Sequence, residues 1–355
     1  MGKNLIISGS TNTGKTTNII FPMVTKMINN KESFIVLDAN LEYLNNYYNE
    51  LKKEDYNTII LNLKDLTKSE GWNPLEYSYN LYKKGNEREA IKYLHDQAEI
   101  MFYEGEKVDP FWQEMATNYY QGVVLGLFED AKEDEVNLNS INLMTTTGEE
   151  KLDDTTLIKK YFALKDQNSA SVKYASFVTN APAVTKGGIL SVFKQKLRLY
   201  VSLDSLSSLL NKTTFSYNDI LTKKTAIFII TNKETSTKNN IASMFIKELF
   251  RVLTSSNITS KFNFILDNID ILDKIFGLDT MLESSKNIRF IIATRYYDDL
   301  IKKYGSAILK FSQKIESETT KELTIQNNNI QIDYPNMELK NIEMFKIEDF
   351  IHSKK

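Results

Sequence analysis

The sequence predicts an α/β fold: a mainly parallel sheet interrupted by an inserted all-helical domain. Three observations predict it. Short apolar runs alternate with amphipathic stretches in the first third of the chain, similar runs return after residue 220, and a glycine loop, GSTNTGKT (9–16), follows the first run. Strands alternating with helices are the pattern of parallel strands joined by crossovers.

The first strand is NLIISG (4–9), and the helix after the loop runs from about Lys15 to Asn30, with apolar residues at Ile19, Ile20, Met23 and Met27. SFIVLD (33–38), a helix through about Lys52 and NTIILNL (57–63) follow. The later strands are TAIFIIT (225–231), FNFILD (262–267) and IRFIIAT (288–294), separated by helices over about 237–255 and 272–285. Between the two groups lies a helical stretch that includes PFWQEMATNYYQGVVLGLFED (110–130). The expected organisation is a nucleotide-binding domain formed by 1–84 and 166–355, with a helical domain inserted at 85–165. A separate helical domain followed by an unrelated sheet is the alternative. ELTIQNNNIQIDY (322–334) reads as a hairpin around an asparagine-rich turn.

With 355 residues and 42% apolar content, the chain can bury a substantial core. Its 44 basic and 46 acidic residues nearly cancel, so any nucleic-acid contact must use a local surface. There is no cysteine, and His95 and His352 are the only histidines. That composition excludes a structural zinc site, a thiol nucleophile and a Ser-His-Asp triad. No apolar run approaches the roughly 20 residues needed to cross a bilayer. No secretory signal is present, so the chain is expected in the cytoplasm, reaching the inner face of a membrane only through partners.

The loop has its own chemistry. Gly9, Ser10, Thr11, Asn12, Thr13, Gly14, Lys15, Thr16 and Thr17 form a cradle whose backbone N–H groups point at phosphate oxygens. The helix that starts there adds its positive end. Lys15 would reach the β- and γ-phosphates of a nucleotide, and the Thr16 hydroxyl would take a position on Mg²⁺. A dinucleotide site, with Asp38 as ribose ligand, is the rival, but the glycine spacing does not fit it and Lys15-Thr16 would have no role.

With these landmarks placed, the chain resembles the TraG/TraD-like coupling proteins of conjugative type IV secretion. SFIVLDANLEY is similar to the family's strand ending in Asp-Pro-Lys-Gly-Glu, with Asp38 and Glu42 matching and Ala39, Asn40 and Leu41 departing. GWNPLEY (71–77) resembles the Asn-Pro-Leu segment, and DPFWQEMATNYYQGVVL (109–125) the Asp-Pro-Phe-Trp helix. APAVTKGGILSVFKQKLRLY (181–200) and DDLIKKYG (298–305) complete the series, which spans about residues 4–305. Trp72 and Trp112 read as core anchors or as DNA contacts.

The resemblance implies a RecA-like motor domain with a helical insertion, assembling as a homo-hexamer. It implies DNA, a relaxase and secretion channel proteins as partners. Family members usually carry amino-terminal transmembrane helices; this sequence then corresponds to a shortened relative or to a cytoplasmic part.

FNFILD reads as the Walker B strand, with Asp267 holding the Mg²⁺ water shell. The family's next residue is a glutamate that polarises the attacking water; here it is Asn268. An amide can orient water but cannot take its proton, and loss of a general base costs roughly 10²- to 10⁴-fold in rate. Asp270 is a candidate replacement. Arg295 stands where the family has a γ-phosphate-sensing glutamine, and reads as a sensor, a charge stabiliser or a salt-bridged structural residue. The arginines are only Arg88, Arg198, Arg251, Arg289 and Arg295, with Arg198 and Arg295 favoured as the group a ring ATPase delivers between subunits. Three readings follow: a motor that engages or moves DNA in conjugation, a degenerate ATP-binding assembly or docking subunit, and a packaging or segregation ATPase of a phage or mobile element.

Overall fold

The computed structural model describes residues 4–103, 105, 108–231, 236–283, 287–317, 331–335, 337 and 341–354. It divides into two compact units, residues 1–70 with 215–337 and residues 71–214 with 338–355.

The first unit opens with β1 (Asn4–Ser8), the glycine loop and a π-helical stretch, Lys15–Ile20, that continues as α1 (Phe21–Asn29). Then come β2 (Ser33–Leu37), α2 (Glu42–Lys53) and β3 (Asn57–Asn62). The second unit contains α3 (Glu76–Lys83), α4 (Glu87–Met101), α5 (Pro110–Asp130) and α6 (Leu138–Thr147). A two-residue hairpin, β4 (Lys151–Leu152) and β5 (Thr155–Thr156), leads into α7 (Leu157–Ala163), α8 (Ala170–Thr179), α9 (Ala183–Val201) and α10 (Asp204–Leu209). The chain returns to the first unit with α11 (Tyr217–Thr222), β6 (Thr225–Ile230), α12 (Ser236–Ser255) and β7 (Phe262–Leu266). That unit closes with α13 (Leu278–Glu283), β8 (Ile288–Thr294), α14 (Tyr297–Tyr304) and β9 (Ser312–Glu316). The last helix, α15 (Ile347–Ser353), belongs to the second unit.

Seven strands form one sheet in the order β3-β6-β2-β7-β8-β1-β9, every pair parallel. β1, β2, β6 and β7 are buried at every position, which accounts for their continuous apolar runs: helices cover both faces of a parallel sheet. Ile7, Val36, Phe228, Ile265 and Ile291 lie in one core cluster. Each such side chain contributes about 1.5–3 kcal/mol of transfer free energy. The edge strand β9, SQKIE, is mostly exposed and carries Lys314 and Glu316, which discourage pairing with a further chain.

The expected insertion limits, 85 and 165, both fall inside the second unit, which starts at Gly71 and runs through Thr214. Packing accounts for the difference. Trp72 is fully buried and its N–H donates to Leu209 O at 2.8 Å, while Asn73 Nδ2 donates to Val136 O at 2.7 Å. Trp72 is thus a core anchor of the helical unit. The expected hairpin at 322–334 lies outside the described residues except for 331–334, which form neither helix nor strand. Expected helix 272–285 is shorter: a 3₁₀ turn at Ile269–Ile271 and α13.

Candidate nucleotide-binding site

In a parallel sheet all strands end on the same side, so residues that follow neighbouring strands meet there. The glycine loop follows β1, Asp38 follows β2, Asp267 follows β7 and Arg295 follows β8, and these are four adjacent strands. They line one cavity of about 460 Å³, together with Tyr43 and Asn268.

Thr11 through Thr17 form one wall. Gly14 has φ 78°, in the left-handed region, and a Cβ there would lie 2.3 Å from Asn18 Nδ2. A Cβ at Gly9 would lie 2.6 Å from Thr13 Oγ1 and 2.8 Å from Ser317 O, so only glycine fits either position. Asn12, with φ 65°, is also left-handed, a conformation asparagine tolerates. Thr13 Oγ1 donates to Ser10 O at 3.0 Å, and Thr17 Oγ1 donates to Asn18 Oδ1 at 3.4 Å. Lys15 Nζ donates to Gly9 O and, at 2.8 Å, to Ser10 O. Burial lowers the Lys15 pKa, with Asp267 and Asp270 opposing the shift.

Asp267 is the centre of the site. Its Oδ2 accepts from Thr16 Oγ1 at 2.7 Å and from Tyr43 OH at 2.7 Å. Burial raises its pKa, while the Thr16 and Tyr43 hydrogen bonds and the Lys15 charge oppose the shift. Asn268, next in the chain, has φ 60° and ψ 46° and opens the 3₁₀ turn. This is a backbone conformation that asparagine adopts more readily than glutamate.

Asp38 is 1% exposed and its Oδ2 accepts the Leu44 N–H at 2.9 Å. It grips the start of α2, a different task from the ribose contact of the rival reading. Leu41, where the resemblance places glycine, has φ 62°. That conformation costs a leucine about 1–2 kcal/mol, which accounts for a glycine being suited to the position.

Asp270 does not line the cavity. Its Oδ1 accepts from Thr294 Oγ1 at 2.8 Å and its Oδ2 from the Arg295 N–H at 2.9 Å. Arg295 is exposed, lines the cavity and makes no ion pair among the described residues. Arg198 is exposed on α9 in the helical unit. Trp112 packs its ring against Gly188 of α9, where a Cβ would lie 2.6 Å from Cζ3.

Sequence reasoning missed Tyr43, Thr294 and Ser317. Tyr43 stands next to Glu42, but nothing local indicates that its hydroxyl reaches Asp267. Ser317 follows the edge strand β9; its N–H donates to Ser8 O at 2.8 Å and its Oγ to Thr13 O at 2.8 Å, bracing the loop.

A glycine loop between strand and helix, facing an acid at the end of a neighbouring parallel strand, defines the P-loop nucleotide-binding class with a RecA-like sheet. Within that class, the chain belongs to the family described as type IV secretory system conjugative DNA transfer, which matches residues 2–286. Its fold is similar to the bacterial conjugative coupling protein TrwBdeltaN70 in complex with sulphate, with a TM-score of 0.63, 14% identity, and coverage of 88% of this chain and 69% of the other. The plasmid coupling protein TrwB in complex with the ATP analogue ADPNP gives the same four values. TrwB in complex with ADP and Mg²⁺ gives a TM-score of 0.62, 14% identity and coverage of 88% and 69%. At that identity these likenesses concern the fold. No curated protein sequence matches the chain. Among the described residues, no helix is long and apolar enough to cross a membrane.

Proposed function

We propose that this chain binds ATP with Mg²⁺ and works as a motor that engages or moves DNA during conjugative transfer. The observation that carries the nucleotide reading is the convergence of Lys15, Thr16 and Asp267 on one cavity, with Thr16 Oγ1 2.7 Å from Asp267 Oδ2. Membership in the conjugative DNA transfer family carries the DNA reading. The solved TrwB complexes with ADPNP and with ADP and Mg²⁺ support the choice of ligands.

The residues fit a magnesium ion. Thr16 and Asp267 offer a hydroxyl and a carboxylate, the hard oxygen donors that Mg²⁺ prefers. The ion, when bound, neutralises charge on the phosphate oxygens. The chain's own part is positioning. Loop N–H groups hold the phosphates, and Lys15 exchanges its Gly9 and Ser10 carbonyl contacts for phosphate oxygens. The exposed Arg295 guanidinium supplies a further charge at the cavity in its own subunit. The Asn268 amide orients water without taking its proton. A homo-hexamer, with a relaxase and secretion channel proteins as partners, accords with this reading, with Arg198 as a candidate for contact with a neighbouring subunit's nucleotide. The helical unit, entered and left from the nucleotide unit, is read as an insertion.

Asn268 favours a second reading, an ATP-binding subunit without turnover. ATP hydrolysis with and without DNA separates the two, using wild type, Lys15→Ala and Asn268→Glu. Wild-type turnover that Lys15→Ala abolishes supports the motor. Turnover only in Asn268→Glu supports the second reading. DNA binding that weakens steeply with salt tests the substrate.

A further inference from the structure

Two hydroxyls from different elements meet on one oxygen of Asp267. Thr16 comes from the glycine loop; Tyr43 comes from the first turn of α2, and each lies 2.7 Å from Oδ2. A threonine hydroxyl has one proton and two lone pairs, so Thr16 can ligate a metal while its proton stays on Asp267. Tyr43 is 2% exposed and turns its hydroxyl to the carboxylate.

The ring is held from several sides. Phe21, at the start of α1, stands edge-on to Tyr43 with centroids 5.1 Å apart, and edge-on to Tyr47 at 5.7 Å. Tyr47 OH donates back to Phe21 O at 2.8 Å. Asp38 fixes the start of the same helix through the Leu44 N–H. The phenol therefore has little room to swing, and its proton has a buried carboxylate as acceptor.

We propose that Tyr43 is a positioning residue for magnesium: its hydroxyl fixes the Asp267 carboxylate in the rotation that serves the metal. The proposal rests on the nucleotide reading above. A carboxylate fixed by one donor can turn about its Cβ–Cγ bond; two donors on one oxygen hold it in one rotation. Loss of an outer hydrogen bond of this kind typically lowers metal affinity about 10- to 100-fold.

The test is ADP binding measured with and without Mg²⁺ in wild type, Tyr43→Phe, Tyr47→Phe, Asp267→Asn and the Tyr43→Phe/Asp267→Asn double variant. Phenylalanine keeps the ring and its packing on Phe21. The expected result is that Tyr43→Phe reduces the Mg²⁺ enhancement about 10-fold, the loss with the metal exceeding any loss without it. Tyr47→Phe keeps the full enhancement, and Tyr43→Phe adds nothing once Asp267→Asn is present.

An enhancement unchanged by Tyr43→Phe overturns the proposal, as does an equal loss with and without the metal, or the same loss in the Asp267→Asn background. Wild type that binds no ADP under either condition overturns the nucleotide reading itself, a distinct failure.

Discussion

Asp270 is fastened to Thr294: Thr294 Oγ1 donates to Asp270 Oδ1 at 2.8 Å, and the Arg295 N–H donates to the other carboxylate oxygen at 2.9 Å. The acid that stands two residues beyond Asn268 is thereby committed to bracing the end of β8. It lies outside the cavity lining.

Asp270→Asn is therefore expected to weaken the brace without removing a proton acceptor. The amide oxygen keeps the Arg295 N–H, and the amide N–H can donate to Thr294 Oγ1, whose own proton has Tyr296 O at 3.2 Å, so what is lost is the charge assistance, about 1 kcal/mol. Thermal melting reads that loss, and ATP turnover should change less than about 10-fold. A fall of the 10²- to 10⁴-fold size expected for loss of a general base would instead make Asp270 the base.

Asn268 carries opposite consequences for stability and rate. Its left-handed backbone, φ 60°, suits asparagine and glycine. Asn268→Glu is expected to cost about 1 kcal/mol in the melt while raising ATP turnover by about 10². Asn268→Gly should hold stability near wild type without the gain in turnover. A glutamate variant that turns over no faster shows that a carboxylate at this position is not what limits the rate.

These cases show what was legible in the sequence. The turn made by the glycine loop was, because it depends on a few consecutive residues and on the strand and helix that flank them. Asp267 was legible as the acid ending an apolar strand. The Tyr43–Asp267 and Asp270–Thr294 contacts were not, because they depend on how β2 is placed beside β7 and β7 beside β8 in the sheet. β9 escaped notice because an exposed edge strand needs no apolar run, and SQKIE has none. The start of the helical unit at Gly71 is set by Trp72, whose burial among residues of that unit leaves no mark in composition.

Gly188 is expected to be intolerant of a side chain although it sits inside α9, where alanine ordinarily gains about 1 kcal/mol over glycine. A Cβ there would lie 2.6 Å from Trp112 Cζ3. Overpacking of this kind costs about 1–3 kcal/mol, so Gly188→Ala should lower the melting temperature. Gly187→Ala, with nothing within 4 Å of its Cβ, should raise it. Equal effects at the two sites would show that α9 and the Trp112 ring separate freely.

Asp38 makes stability depend on pH. Burial pushes its carboxyl up to about 7 from the ordinary 3.8, against the pull of the Leu44, Tyr43 and Glu42 N–H groups. The folded chain thus holds the proton more tightly than the unfolded chain. Its contribution is complete below about pH 4 and is lost as pH rises through about 7. At about 1.4 kcal/mol per pKa unit the ceiling is about 4 kcal/mol, the opposing bonds to α2 already counted in the shift. Asp38→Asn keeps an acceptor for the Leu44 N–H and cannot ionise. Urea unfolding should find the variant more stable than wild type by about 1–3 kcal/mol at pH 8, with the advantage shrinking toward pH 4. A difference independent of pH would mean that Asp38 ionises in the folded chain as readily as in the unfolded one, with the α2 N-terminus fully offsetting its burial.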